Sequence, residues 1–86
     1  MDFEYDPNKS QSNLAKHGID FEAAKEIWQD SQRIIFPARS ETEPRWVTVG
    51  LIHGKFWTVV YTTRNGRIRI ISVRRSRVQE IKLYGT

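Results

Sequence analysis

Phe56-Trp-Thr-Val-Val-Tyr-Thr-Thr-Arg-Asn-Gly-Arg-Ile-Arg-Ile-Ile-Ser-Val73 decides the fold of this chain. β-Branched and aromatic residues fill both halves. Asn65-Gly66 supplies two positions that tolerate positive φ, which a tight reversal needs, so the stretch reads as a β-hairpin. Its second half opens the most basic part of the chain. Six of the fourteen Lys and Arg residues lie between Arg64 and Arg77, and no acid lies among them. Guanidinium groups on a strand present forked donors and a permanent charge, which suit phosphate. The polarity extends outward: residues 1–30 hold seven acids and three bases (−4), residues 64–86 one acid and seven bases (+6). Such asymmetry points to an anionic partner on the C-terminal half, nucleic acid first.

Upstream of the hairpin, Arg45–Ile52 reads as another strand, turned into the next by His53-Gly54. Arg33–Phe36 reads as a short strand closed by Pro37, and residues 38–44 as a polar loop. Before that the period is helical. Asp6 is a natural N-cap with Pro7 at the first helical position and Gly18 as the stop. A second helix starts at Asp20, buries Phe21, Ala24, Ile27 and Trp28, and ends near Asp30-Ser31. Phe3–Tyr5 alternates as a short strand. Ser76 is expected to cap a short C-terminal helix that folds Val78, Ile81 and Tyr84 onto the core. Together these predict one α+β domain over residues 1–86: two N-terminal helices packed on an antiparallel meander of three to four strands, with a short C-terminal helix. The helices would cover one sheet face, leaving arginines and aromatics on the other, a surface suited to single-stranded RNA.

Composition narrows the classes of function. There is no cysteine, which removes disulfides, thiolate catalysis and most structural zinc sites. His17 and His53 match no zinc spacing, so neither metal nor cofactor is expected. No apolar run is long enough to cross a membrane, and the acidic start Met1–Asp6 lacks the pattern of a signal peptide. A cytoplasmic protein is the expectation.

The ordered set Asp6-Pro-Asn-Lys9, Asn13, Lys16-His-Gly-Ile-Asp-Phe21, Ala24, Glu43-Pro-Arg45, Gly50, Tyr61-Thr62, Arg64, Arg69-Ile-Ile-Ser-Val-Arg74, Glu80 and Tyr84 resembles the BrnT family. These are ribonuclease toxins of type II toxin–antitoxin systems, related in fold to the RelE toxins. The match spans nearly the whole chain in order and spacing. Tyr5 stands where the family usually has Trp, and Val73 where it usually has Ala. The resemblance implies metal-independent cleavage of RNA and inhibition of translation and growth. It also implies a cognate antitoxin that forms a hetero-oligomer with the chain, masks its basic surface and supplies operator DNA binding.

RNA cleaves itself when a 2′-hydroxyl attacks the adjacent phosphate. A catalyst aligns that attack, moves protons and stabilises the phosphorane charge. Arg64, Arg69 and Arg74, on which the resemblance falls, are the candidates for phosphate and transition-state contacts. The competing role for each is a solvated charge or an ion pair with Glu41, Glu43 or Glu80. Alternation puts Arg67 and Arg69 on one face, with Arg74 on the other unless the strand ends or bulges near Ser72. His17 is either a general acid or base or the cover of a helix C-terminus. Glu43 is a proton acceptor or merely orients Arg45. Lys16, Arg45, Arg67, Arg75 and Tyr61 complete the RNA-binding candidates. Trp46 and Trp57 are assigned to the core, Asp6 and Asn13 to structural roles, and His53 to a surface turn. The rival function is a non-catalytic RNA-binding or antitoxin-docking module using the same arginines.

Overall fold

The computed structural model describes residues 1–85. In chain order it contains β1 (Phe3–Glu4), α1 (Pro7–His17), α2 (Phe21–Ala24), a 3₁₀ stretch (Lys25–Gln29), β2 (Ile34–Ala38), β3 (Arg45–Ile52), β4 (Lys55–Arg64), β5 (Arg67–Arg75) and α3 (Val78–Tyr84). The class is α+β, but the sheet is five-stranded and mixed, in the order β1-β5-β4-β3-β2, not an antiparallel meander of three to four strands. The added strand is β1, which runs parallel to β5 at the far margin.

Both hairpin turns form as their sequences dictate. His53 and Gly54 have φ of 49° and 77°, and Asn65 and Gly66 have 51° and 77°, the paired positive values of a two-residue loop. The first helix also follows its signals. Asp6 accepts from the Asn8 N–H at 2.9 Å, and Gly18 closes the end at φ 79°. The second helix is shorter than expected, a single α-turn that tightens into the 3₁₀ stretch. Phe21, Ala24 and Ile27 recur every three residues, which a threefold helix keeps on one line as well as an α-helix does. All three remain buried. Pro37 lies inside β2 instead of closing it, which an outermost strand tolerates because its missing N–H is not needed for pairing.

The register sorts the strands into two faces. Trp57, Val59, Ile70 and Val73 point to one side and pack with Ile19, Phe21, Ala24 and Ile27 of the N-terminal helical layer. Thr58, Val60 and Thr62 point to the other. Against expectation that second face is not wholly free, because α3 crosses it. Glu80 accepts from Thr58 Oγ1 at 3.0 Å, and Tyr84 packs edge-on against Phe56 at 5.0 Å. Arg77, not Ser76, is the N-cap of α3; the Ser76 hydroxyl is 2.8 Å from Thr58 Oγ1. Val78 stays 65% exposed, and Trp46, assigned to the core, is 36% exposed.

Two polar side chains take over where the edge strands stop. Beyond β1, Asn13 donates to the Val73 carbonyl at 2.9 Å and accepts from the Val73 N–H at 3.2 Å, while also donating to the Ile19 carbonyl at 2.8 Å. Beyond β2, Asp30 accepts from the Leu51 N–H at 2.9 Å and from the Tyr84 hydroxyl at 2.8 Å. Burial opposes the charge on Asp30. The hydrogen bonds from Leu51, Tyr84 and the Gln32 N–H, with Arg33 nearby, outweigh it and leave the carboxyl below its ordinary value.

Candidate functional site

A β-bulge brings the site together. Val60 pairs with Ser72 but Tyr61 pairs with Ile70, so Ile71 is an extra residue in β5. That residue reverses the alternation. Arg74, opposite Thr58, therefore lies on the same face as Arg69, opposite Thr62, and Arg67, opposite Arg64. Arg45, opposite Ala38 in β3, has the same parity. Five arginines thus share the face opposite the N-terminal helices. Arg64 and Arg67 are direct cross-strand neighbours, an arrangement that costs energy unless an anion offsets it.

Three of the five already have carboxylate partners. Arg64 Nη2 lies 3.3 Å from Glu43 Oε2. Arg69 Nη1 lies 3.5 Å from Glu4 Oε2, a partner the sequence did not suggest. Both contacts are long and half-exposed, so they are weak and exchangeable. Arg74 differs. Its fork grips Glu80 through two bonds of 2.9 and 2.8 Å, and Glu80 also accepts from the Arg77 N–H at 2.8 Å. The Arg74 guanidinium, with the Arg77 and Thr58 donors, overcomes burial and holds the Glu80 carboxyl at about 2. Glu80 in turn raises Arg74. The side chains of Arg67 and Arg45 have no hydrogen-bond or ion-pair partner among the described residues, and the Nε of Arg45 is buried without one.

The remaining candidates lie elsewhere. Tyr61 faces the helical layer, edge-on to Trp28 at 5.2 Å, and burial pushes its hydroxyl up while Arg33 pulls it down. Arg75 has the parity of Trp57 and sits over that ring at 5.3 Å, with its Nε donating to the Phe56 carbonyl at 3.2 Å. Neither joins the arginine face. Lys16 and His17, at the end of α1, line a cleft that reaches Ser72 of β5. His53 is a turn residue, 2.8 Å from Glu26. Glu80 is the site residue that sequence reasoning saw only as an ion-pair option. Its position three residues after the Arg77 N-cap is the spacing at which a Glu turns back to cap a helix start. Among the described residues, no three or more His, Asp or Glu side chains are gathered in a metal-binding group.

A face of arginines on a half-covered sheet can bind the phosphates of a nucleic-acid strand. Glu43 beside Arg64 adds a carboxylate that can take a proton there. No curated protein sequence matches the chain. The model of one family, described as "Ribonuclease toxin, BrnT, of type II toxin-antitoxin system", matches residues 5–80. The matched span contains the capped α1, the bulged β5 and the arginine face, and the chain belongs to the BrnT ribonuclease toxins of type II toxin–antitoxin systems.

Proposed function

We propose that this toxin cleaves single-stranded RNA without a metal ion, through the arginine face of β4 and β5, and that an antitoxin covering that face silences it. The observation that carries the reading is the bulge at Ile71, which places Arg64, Arg67, Arg69 and Arg74 on one side of the sheet. The RNA phosphate displaces the loose carboxylates of Glu43 and Glu4 from Arg64 and Arg69, and the two guanidiniums then hold the non-bridging oxygens. Glu43, freed beside the phosphate, takes the proton of the 2′-hydroxyl. The 2′-oxygen forms its bond to phosphorus as the bond to the 5′-oxygen breaks. That oxygen leaves with a proton taken from water, and the other fragment ends in a 2′,3′-cyclic phosphate. Arg67 and Arg45, with Lys16, attract the flanking backbone, while Arg74 keeps its fork on Glu80 and braces the strand. An acidic antitoxin segment fits the same face, where residues 64–86 carry +6.

Incubation of labelled single-stranded RNA with purified toxin in EDTA tests this, with and without ribosomes, beside an Arg64→Ala, Arg69→Ala variant shown to be folded. Cleavage by wild type alone, leaving cyclic phosphate ends, is the expected result. RNA binding without cleavage under every condition favours the binding module instead.

A further inference from the structure

We infer that α1 carries a second backbone-binding subsite, which holds a phosphodiester flanking the scissile one. The inference rests on the RNA-cleaving reading above. A cleft of about 240 Å³ opens between α1 and β5, lined by Lys9, Ser12, Lys16, His17, Ile71 and Ser72 among others, with no carboxylate in its wall. Lys9, Ser12 and Lys16 stand three and four residues apart, so they form one stripe along the helix. Lys9 and Lys16 are about 10 Å apart along the axis, further than one phosphate group spans.

Three features make this stripe a site. First, its cations are uncommitted: Lys9 and Lys16, like the His17 imidazole beside them, make no side-chain hydrogen bond or ion pair among the described residues. Arg64, Arg69 and Arg74, by contrast, each hold a carboxylate. An anion binding in the cleft displaces nothing. Second, the stripe is held in place, because Asn13 within it is hydrogen-bonded to both backbone groups of Val73. Third, the cleft opens where the bulge interrupts β5, and its Ser72 wall belongs to the arginine face. A strand leaving that face over Ser72 enters the cleft and meets the stripe.

Lys9 is the residue to change, since unlike Lys16 it has no part in the cleavage reading above. Binding of 2′-O-methylated single-stranded RNA, which the toxin cannot cut, is measured across a salt series for wild type, Lys9→Ala and Lys9→Arg. Cleavage of a dinucleotide and of a longer oligonucleotide is measured alongside. The expected result is a salt slope lower by about 0.7 in Lys9→Ala, the contribution of one phosphate contact on a single strand, restored in Lys9→Arg. KM for the oligonucleotide rises, while kcat and cleavage of the dinucleotide stay unchanged. An unaltered slope and KM in Lys9→Ala overturn the subsite and leave the cleavage reading intact. Binding without cleavage overturns the cleavage reading, and the salt slope still decides the subsite. Wild type that binds no RNA overturns both.

Discussion

Acid should loosen α3 from the sheet by protonating Glu80. The carboxyl sits at about 2 in the folded chain against an ordinary 4.5, because the Arg74 fork and two further donors favour its charged form. At about 1.4 kcal/mol per pH unit, that gap makes the ionised group worth about 3 kcal/mol to the folded state. The folded value is depressed, so this stability is fully present above about pH 4.5 and drains away as pH falls towards 2. A domain of this size has about 5–15 kcal/mol in all, so the loss is a large fraction. Glu80 is little exposed, its side chain at 13%, so solvent screening does not erase the effect. The assay is urea unfolding followed by tryptophan fluorescence at steps from about pH 6 to 2, on wild type and Glu80→Gln. Asp30 and Glu22, whose carboxyls are also lowered, titrate in both proteins, so the difference between the two curves isolates Glu80. It should shrink by about 3 kcal/mol across the window. A constant difference would refute the pairing.

Three other outcomes follow from the geometry. Gly50→Ala should destabilise by about 1–3 kcal/mol in the same unfolding assay, because its Cβ would meet Ile27 Cγ1 at 3.0 Å and Asp30 Oδ2 at 3.1 Å. Asn13→Ala should cost about 2–4 kcal/mol, since it strands the backbone groups of Val73 and Ile19 that Asn13 now satisfies; thermal melting reads this out. Tyr61→Phe should leave RNA cleavage within twofold of wild type (about 0.4 kcal/mol), because its ring faces Trp28 and not the arginines.

The hairpins and α1 were legible because local chemistry alone determines them: paired positive-φ turn residues, an Asp-Pro start and a Gly stop. The bulge left a fainter trace. Apolar positions run Ile68, Ile70 and then Val73, and this change of parity marks where one residue falls out of step. The 3₁₀ stretch hid in a spacing shared by both helix types. Trp46 is hydrophobic, but its position in β3, next to the outermost strand, exposes it, and no local pattern records that. Nor does any pattern pair Glu4 with Arg69, which are brought together by a parallel strand two residues long. The arginines were therefore recognisable as a set from the sequence, whereas their carboxylate partners emerge only from the folded topology.

Asn13 and Asp30 have a bearing on how the toxin behaves in company. A bare sheet margin is a template on which one chain recruits the next, the first step towards fibrils. Here one margin is two residues of β1 followed by a carboxamide, and the other is a strand containing Pro37 followed by a carboxylate. Neither offers a long row of bare donors and acceptors to a newcomer. The chain thus presents little free sheet edge on which a second copy could build, and each margin is closed in part by one polar side chain that a single substitution would remove.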